Sequence, residues 1–213
     1  MKVQSLSVVV PGGCPNKCKF CISDIHKLDV KNQIEKNIRF SDLYQNDYMK
    51  RMAFARDNGC NVVILTGDGE PLINMDFLEK FSWMNKGIPS PFRWIELQTS
   101  GVTLNEEKLR FLRNTVGVTT ISLSLSDMFY NAENFKINGT KENLMFDIGE
   151  LCSLIKVYDF NLRLSLNMTK NYDDIPVEDI FNKATSLGAN QITFRVLYSS
   201  DKYGYDSNSV LVS

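Results

Sequence analysis

Histidine is nearly missing from this chain: there is one, His26, in 213 residues. That removes the zinc and iron centres built from several imidazoles. Tryptophan occurs only twice and proline only six times, and no Pro-rich or other low-complexity segment interrupts the chain. Charge of one sign is not in excess, with 24 Lys and Arg against 25 Asp and Glu and a net charge of -1. Such a balance gives no support for a dedicated basic nucleic-acid surface. No apolar run approaches the length of a bilayer span, and no basic stretch with an apolar signal core opens the chain. A cytoplasmic location is therefore the expectation. Cysteine is scarce as well, at five, yet three of the five lie between Cys14 and Cys21. A cluster of that kind argues for metal binding in a reducing compartment rather than for a disulfide framework.

What is present is an ordinary globular composition, 43% hydrophobic, in a chain of one good-sized domain. Patterning predicts a strand over residues 4–10 and a polar, irregular excursion over 22–39. A helix capped by Asp42 is expected to end near Asn58, followed by a strand over 62–65. A helix over 76–85, a strand over 94–98, a helix capped by Asn105 and a strand over 119–125 come next. A long helix is expected to begin at Thr140, with Leu144, Ile148, Leu151 and Ile155 at helical spacing. A strand over 160–167, a helix opened by Pro176 and a strand over 191–196 complete the series. Each gap between strands has room for one helix, which argues for a parallel sheet with helical crossovers. A complete eight-fold barrel needs about 250 residues. Six strands fit a partial (β/α)6 TIM-like barrel, open at one side, or a doubly wound sheet. The domain is expected to span 1–198, with 199–213 as a C-terminal tail.

Two strands alternate instead of reading as continuous apolar runs. Ile121, Leu123 and Leu125 oppose Ser122, Ser124 and Ser126, while Leu162, Leu164 and Leu166 oppose Arg163, Ser165 and Asn167. In a barrel the apolar set would pack outward on helices and the polar set would line the lumen. A polar lumen suits a polar ligand.

Two motifs carry chemistry. Cys14-Pro15-Asn16-Lys17-Cys18-Lys19-Phe20-Cys21 follows the first strand. Three thiolates suit zinc, copper(I) or an iron–sulfur cluster. A fourth ligand is hard to find, since Cys60 and Cys152 stand alone and read as core, and His26 reads as a surface residue. A [4Fe–4S] cluster held by three cysteines keeps one iron open for chemistry. The second motif, Thr66-Gly67-Asp68-Gly69-Glu70-Pro71-Leu72, follows the second strand. In a βα architecture, sites are built at that strand end. Taken alone it is a turn.

Together the motifs resemble the radical S-adenosylmethionine (SAM) superfamily, whose signature is C-x3-C-x-aromatic-C. Gly67, Asp68, Gly69 and Glu70 look like that family's Gly-Gly-Glu-Pro motif, which holds the amino group of SAM, with Asp68 as a departure from the pattern. The resemblance implies a [4Fe–4S] cluster on Cys14, Cys18 and Cys21, with SAM as the second cofactor and Phe20 near the adenine. Lumen-facing Gln98, Thr99, Ser124, Arg163, Asn167 and Arg195 would hold SAM. It further implies an enzyme in which reductive cleavage of SAM yields a 5′-deoxyadenosyl radical that abstracts hydrogen from a substrate. The substrate classes left open are a peptide, a protein and a nucleotide. A reductant such as flavodoxin or ferredoxin would be a partner, and no membrane is involved. The competing readings are a non-catalytic iron–sulfur or zinc-binding structural or sensor domain, and an activase of glycyl-radical enzymes.

Overall fold

The computed structural model describes residues 2–21, 45–67 and 69–197. Asp68, His26, the Asp42 cap, the 22–39 excursion and the 199–213 tail lie outside the described residues. In chain order the elements are β1 (Ser5–Val10), α1 (Gln45–Asp57), β2 (Val62–Gly67), α2 (Met75–Gly87), β3 (Trp94–Thr99) and α3 (Glu106–Phe111). They continue with β4 (Thr120–Leu125), α4 (Asn131–Asn138), α5 (Ile148–Val157), β5 (Asn161–Met168), α6 (Val177–Ser186) and β6 (Gln191–Val196). The strands follow sequence order in one six-stranded sheet. This is the expected partial (β/α)6 architecture of parallel strands joined by helices. The chain divides into two compact units.

The first unit holds β1 to β3 and α1 to α3. β1 pairs parallel with β2, Val8 opposite Leu65 and Val10 opposite Gly67, and β2 pairs with β3, Leu65 opposite Leu97. Val63, Leu65, Ile95 and Leu97 of the strands are buried, as are helical Met52, Phe77, Leu78 and Phe81. Asn74 performs two tasks at the start of α2. Its Oδ1 accepts from Phe77 N at 3.0 Å, satisfying one orphan donor of the first turn. Its Nδ2 donates to Pro11 O at 2.7 Å, fastening the helix to the chain leaving β1. Asn105 caps α3 as expected, accepting from Lys108 N at 2.9 Å. The helix does not run on regularly to Arg113. It widens into a π turn over Leu112–Val116, closed by Gly117 at φ 80°.

The second unit holds β4 to β6 and α4 to α6. β5 and β6 pair parallel, with Asn167 opposite Arg195. The long helix expected from Thr140 does not form. α4 occupies Asn131–Asn138, a single 3-10 turn covers Glu142–Leu144, and α5 starts only at Ile148. Thr140 does not cap a helix, because its hydroxyl donates to the Asn16 side chain. The cap of α5 is Asp147, whose Oδ1 accepts from Glu150 N at 2.8 Å. Ile148, Leu151 and Ile155 are buried as their spacing predicts, whereas Leu144 lies before the helix. Cys152 is core, and burial pushes its thiol pKa up to about 12.

The alternating strands are buried on both faces. Leu123, Leu125, Leu162, Leu164 and Leu166 are fully buried, and so are Ser122, Ser126 and Ser165. Among the described residues, the hydroxyls of Ser122 and Ser165 have no hydrogen-bond partner. Two unpaired buried hydroxyls on adjacent strands mark a surface chosen for polarity rather than for packing.

Candidate functional site: the cysteine loop and its supports

In the first unit, the chain leaving β1 is held at Pro11 by the Asn74 side chain and at Gly13 by main-chain contact. Glu70 N donates to Gly13 O at 2.9 Å. A Cβ on Gly69 would overlap that same Gly13 oxygen. Only glycine allows the turn after β2 to lie this close to the loop, which gives Gly69 a steric reason. Cys14, next along, is exposed.

Glu70 is 2% exposed. Its Oε1 accepts from Thr99 Oγ1 at 2.6 Å and from Leu72 N at 3.3 Å. The second bond caps a 3-10 turn over Pro71–Ile73. Thr99, expected to touch SAM, holds the Glu70 carboxylate in place. Lys108 Nζ donates to Leu72 O at 3.0 Å, on the same turn. Burial lowers the Lys108 pKa, and the nearby Glu70 and Glu107 charges oppose that shift. Gln98 is half-buried and donates to Glu96 Oε1 at 3.3 Å. Glu96 is itself 3% exposed. Sequence reasoning passed over this buried acid, although its position two residues before Gln98 puts both on one face of β3.

In the second unit, the following stretch of the loop sits on the end of α4. Lys17 N donates to Asn138 O at 2.9 Å, and Thr140 Oγ1 donates to Asn16 Oδ1 at 2.9 Å. The Cys18 thiol lies 3.5 Å from Asn138 O and 3.7 Å from Asn138 Oδ1. Cys21 N donates back to Cys18 O at 3.0 Å, closing a turn over the second pair of cysteines. Phe20 and Cys21 are half-buried. No disulfide joins any of the five cysteines.

The remaining expected residues separate. Asn167 is buried, and its Nδ2 donates to Ser126 Oγ at 3.1 Å. Ser124 and Arg195 are half-buried near the carboxyl ends of β4 and β6. Arg163 stands near the opposite, amino end of β5. Its Nε donates to Gln191 Oε1 at 2.7 Å, across the start of β6. The alternation that grouped it with Ser165 and Asn167 finds the face of a strand, not the end. Arg163 ties the start of β5 to the start of β6.

Three thiols on one loop are a donor set suited to an iron–sulfur cluster. Among the described residues, no three His, Cys, Asp or Glu side chains gather as for a single metal ion. Cys14, Cys18 and Cys21 are the residues that would hold such a cluster. In the first unit, the close backbone contact between Gly13 and the turn after β2 leaves the loop main chain next to Gly69 and Glu70.

Parallel strands with a thiol-bearing loop after the first define a (β/α) protein of the cofactor-binding class. Residues 8–143 match the radical SAM superfamily, and the chain belongs to that superfamily, enzymes that use a [4Fe–4S] cluster and SAM. Solved structures of similar fold include anSMEcpe with AdoMet (SAM) and the Cp18Cys peptide bound, at TM-score 0.62 and 19% identity, covering 95% of this chain and 54% of that one. Another is Streptococcus suis SuiB bound to S-adenosylmethionine, at TM-score 0.61 and 14% identity, covering 96% of this chain and 43% of that one. The chain thus spans about half the length of these structures. No protein with a curated description matches it in sequence. Among the described residues no helix is long and apolar enough to cross a membrane.

Proposed function

We propose that this chain is the catalytic core of a radical SAM enzyme acting on a peptide or protein. Cys14, Cys18 and Cys21 would hold the [4Fe–4S] cluster. Gly67, Gly69 and Glu70 would receive the amino group of SAM, with Asp68 beside them. Phe20 would lie near the adenine, and Gln98, Ser124, Asn167 and Arg195 would contribute polar contacts. The bound cofactors supply a radical that takes a hydrogen atom from the substrate, the step the polypeptide cannot perform.

The protein's own work is binding, orientation and exclusion of water. Glu70 is suited to an ammonium group because Thr99 and Leu72 already fix its carboxylate, so little ordering remains on binding. Lys108 grips the same turn through Leu72 O. A flavodoxin or ferredoxin would supply the electron, in a cytoplasmic setting. The peptide class rests on anSMEcpe, a chain of similar fold with a peptide bound.

The observation that carries the reading is the chain entering the cysteine loop, fastened at Gly13 to the turn after β2 in which Glu70 is buried. Anaerobic reconstitution with iron and sulfide should give a brown protein. Dithionite and SAM should then release 5′-deoxyadenosine, and a deuterated peptide substrate should pass its label into that product. A colourless protein that loads zinc and leaves SAM intact would replace this reading with the structural metal domain.

A further inference from the structure

The end of α4 has no place in either sequence motif, yet it makes the main contacts to the middle of the cysteine loop. Asn138 meets the loop through two atoms. Its backbone oxygen accepts from Lys17 N at 2.9 Å, and the Cys18 thiol lies against both that oxygen and its Oδ1. Gly139 follows at φ 58°, and a Cβ there would stand 2.8 Å from Lys17 O. Thr140 holds Asn16, which is 7% exposed. Three consecutive residues thus grip three of the five that run from Cys14 to Cys18.

This grip is tied into the sheet. Ser126 Oγ donates to Asn138 Oδ1 at 2.6 Å and receives Asn167 Nδ2 at 3.1 Å. Asn138 Nδ2 points at Asn134 Oδ1 from 3.4 Å, and Asn134 Oδ1 also accepts from Ser126 N at 2.8 Å. Asn134, Ser126, Asn138 and Asn167 are all buried. A satisfied buried polar network is rigid and holds its members in one arrangement. Here it runs from β5 through β4 and α4 to the sulfur of Cys18.

We propose that Asn138–Thr140 is the positioning element for the cluster-binding loop, with Asn138 as the residue that sets the surroundings of Cys18. This rests on the reading of the three cysteines as cluster ligands. Outer groups that orient metal ligands change retention and electronic properties of the centre without touching the metal. Asn138 presents oxygens, not N–H groups, toward Cys18. A thiolate there gains no hydrogen bond from this residue, which works against a high reduction potential.

The test uses the full chain, reconstituted with iron and sulfide. Asn138→Ala and Gly139→Ala are compared with wild type and with Tyr172→Phe. The last variant deletes a buried hydrogen bond to Met128 N in the same unit, far along the chain from the loop. Expected are cluster loss to a chelator about tenfold faster in both cap variants and a changed low-temperature EPR signal of the reduced cluster in Asn138→Ala. The midpoint potential of that variant should move upward. Asn138→Asp keeps the acceptor for Ser126 but loses the donor to Asn134 and sets a negative charge beside Cys18, so its midpoint potential should move downward. Tyr172→Phe should lower the melting temperature while leaving the EPR signal and chelator rate as in wild type.

If cap variants and wild type share the same chelator rate, EPR signal and potential while Cys18→Ala loses iron, the positioning role is wrong and the cluster assignment stands. If wild type takes up no iron, or the three cysteine variants keep it, both fall. Should Tyr172→Phe change the EPR signal as much as Asn138→Ala, the effect is general destabilisation and the proposal fails.

Discussion

The cysteine loop is fastened in two places, and the fastenings are made of different materials. At Gly13 the grip is main chain on main chain: Glu70 N reaches Gly13 O, and Gly69 keeps the way clear. At Asn16–Cys18 one main-chain bond, Lys17 N to Asn138 O, is joined by side chains, with Thr140, Asn138 and Ser126 supplying hydroxyls and an amide. The first kind leaves a compact mark in a sequence, because glycine has few substitutes where backbones touch. The second leaves almost none, since Asn, Ser and Thr are common anywhere on a chain.

Substitutions at the two glycines should separate the fastenings most sharply. Gly69→Ala sets a carbon against a backbone oxygen, and neither atom can move without displacing the turn. The expected loss is about 3 kcal/mol of stability and most of the bound iron, read by urea unfolding and iron content. Gly139→Ala forces a left-handed alanine at about 1–2 kcal/mol and crowds Lys17 O, so its stability loss should be smaller. A larger loss at Gly139 would reverse the ranking of the two anchors.

Glu70→Gln tests the first fastening without disturbing its packing. The amide oxygen can still accept from Thr99 and Leu72, but the charge is gone. Loss of one charge-assisted hydrogen bond, about 2 kcal/mol, would weaken SAM binding by roughly 30-fold, measurable by equilibrium dialysis. Unchanged SAM affinity would reduce Glu70 to a structural cap.

Lys108 offers a pH test of the same turn. Burial holds its pKa below the usual 10.5. Its folded form therefore binds fewer protons than the unfolded chain between the lowered pKa and 10.5. Stability from this residue is present above that window and is lost as pH falls through it. The melting temperature of wild type should gain on that of Lys108→Met as pH rises toward 10.5. Parallel curves would show that the lysine is not buried against the turn.

The smallest effect concerns the thiols themselves. Iodoacetamide at mildly alkaline pH should label Cys14, which is exposed, and spare Cys60 and Cys152, which are buried. A Cys152 thiol raised to about 12 has little thiolate to react. Peptide mass spectrometry before and after urea unfolding reads this directly, and native labelling of Cys152 would contradict its placement in the core.

The strands could be read from the chain to within about a residue at most ends, since apolar runs punctuated by glycine leave few alternatives. The helix expected from Thr140 failed for a local reason with a distant cause: the Thr140 hydroxyl is engaged with Asn16, far back in the sequence. Arg163 meets Gln191 at the start of β6, a pairing that alternation could not point to, because it reports the face of a strand and not the end. Thr99 holds the carboxylate of Glu70, a pairing between two strand ends that no linear spacing marks.

The order of elements, the C-x3-C-x2-C loop and the Gly69–Glu70 turn were determined by the chain alone. They depend on spacing, on backbone freedom and on thiol chemistry, all of which are local. Folding decided which hydroxyls and amides would support that loop. Asn16, Ser126, Asn138, Thr140 and Asn167 come together only when α4 ends beside the cysteines and β4 runs beneath it. Hydrogen bonds depend on proximity in space, and a linear pattern of common polar residues carries no record of it.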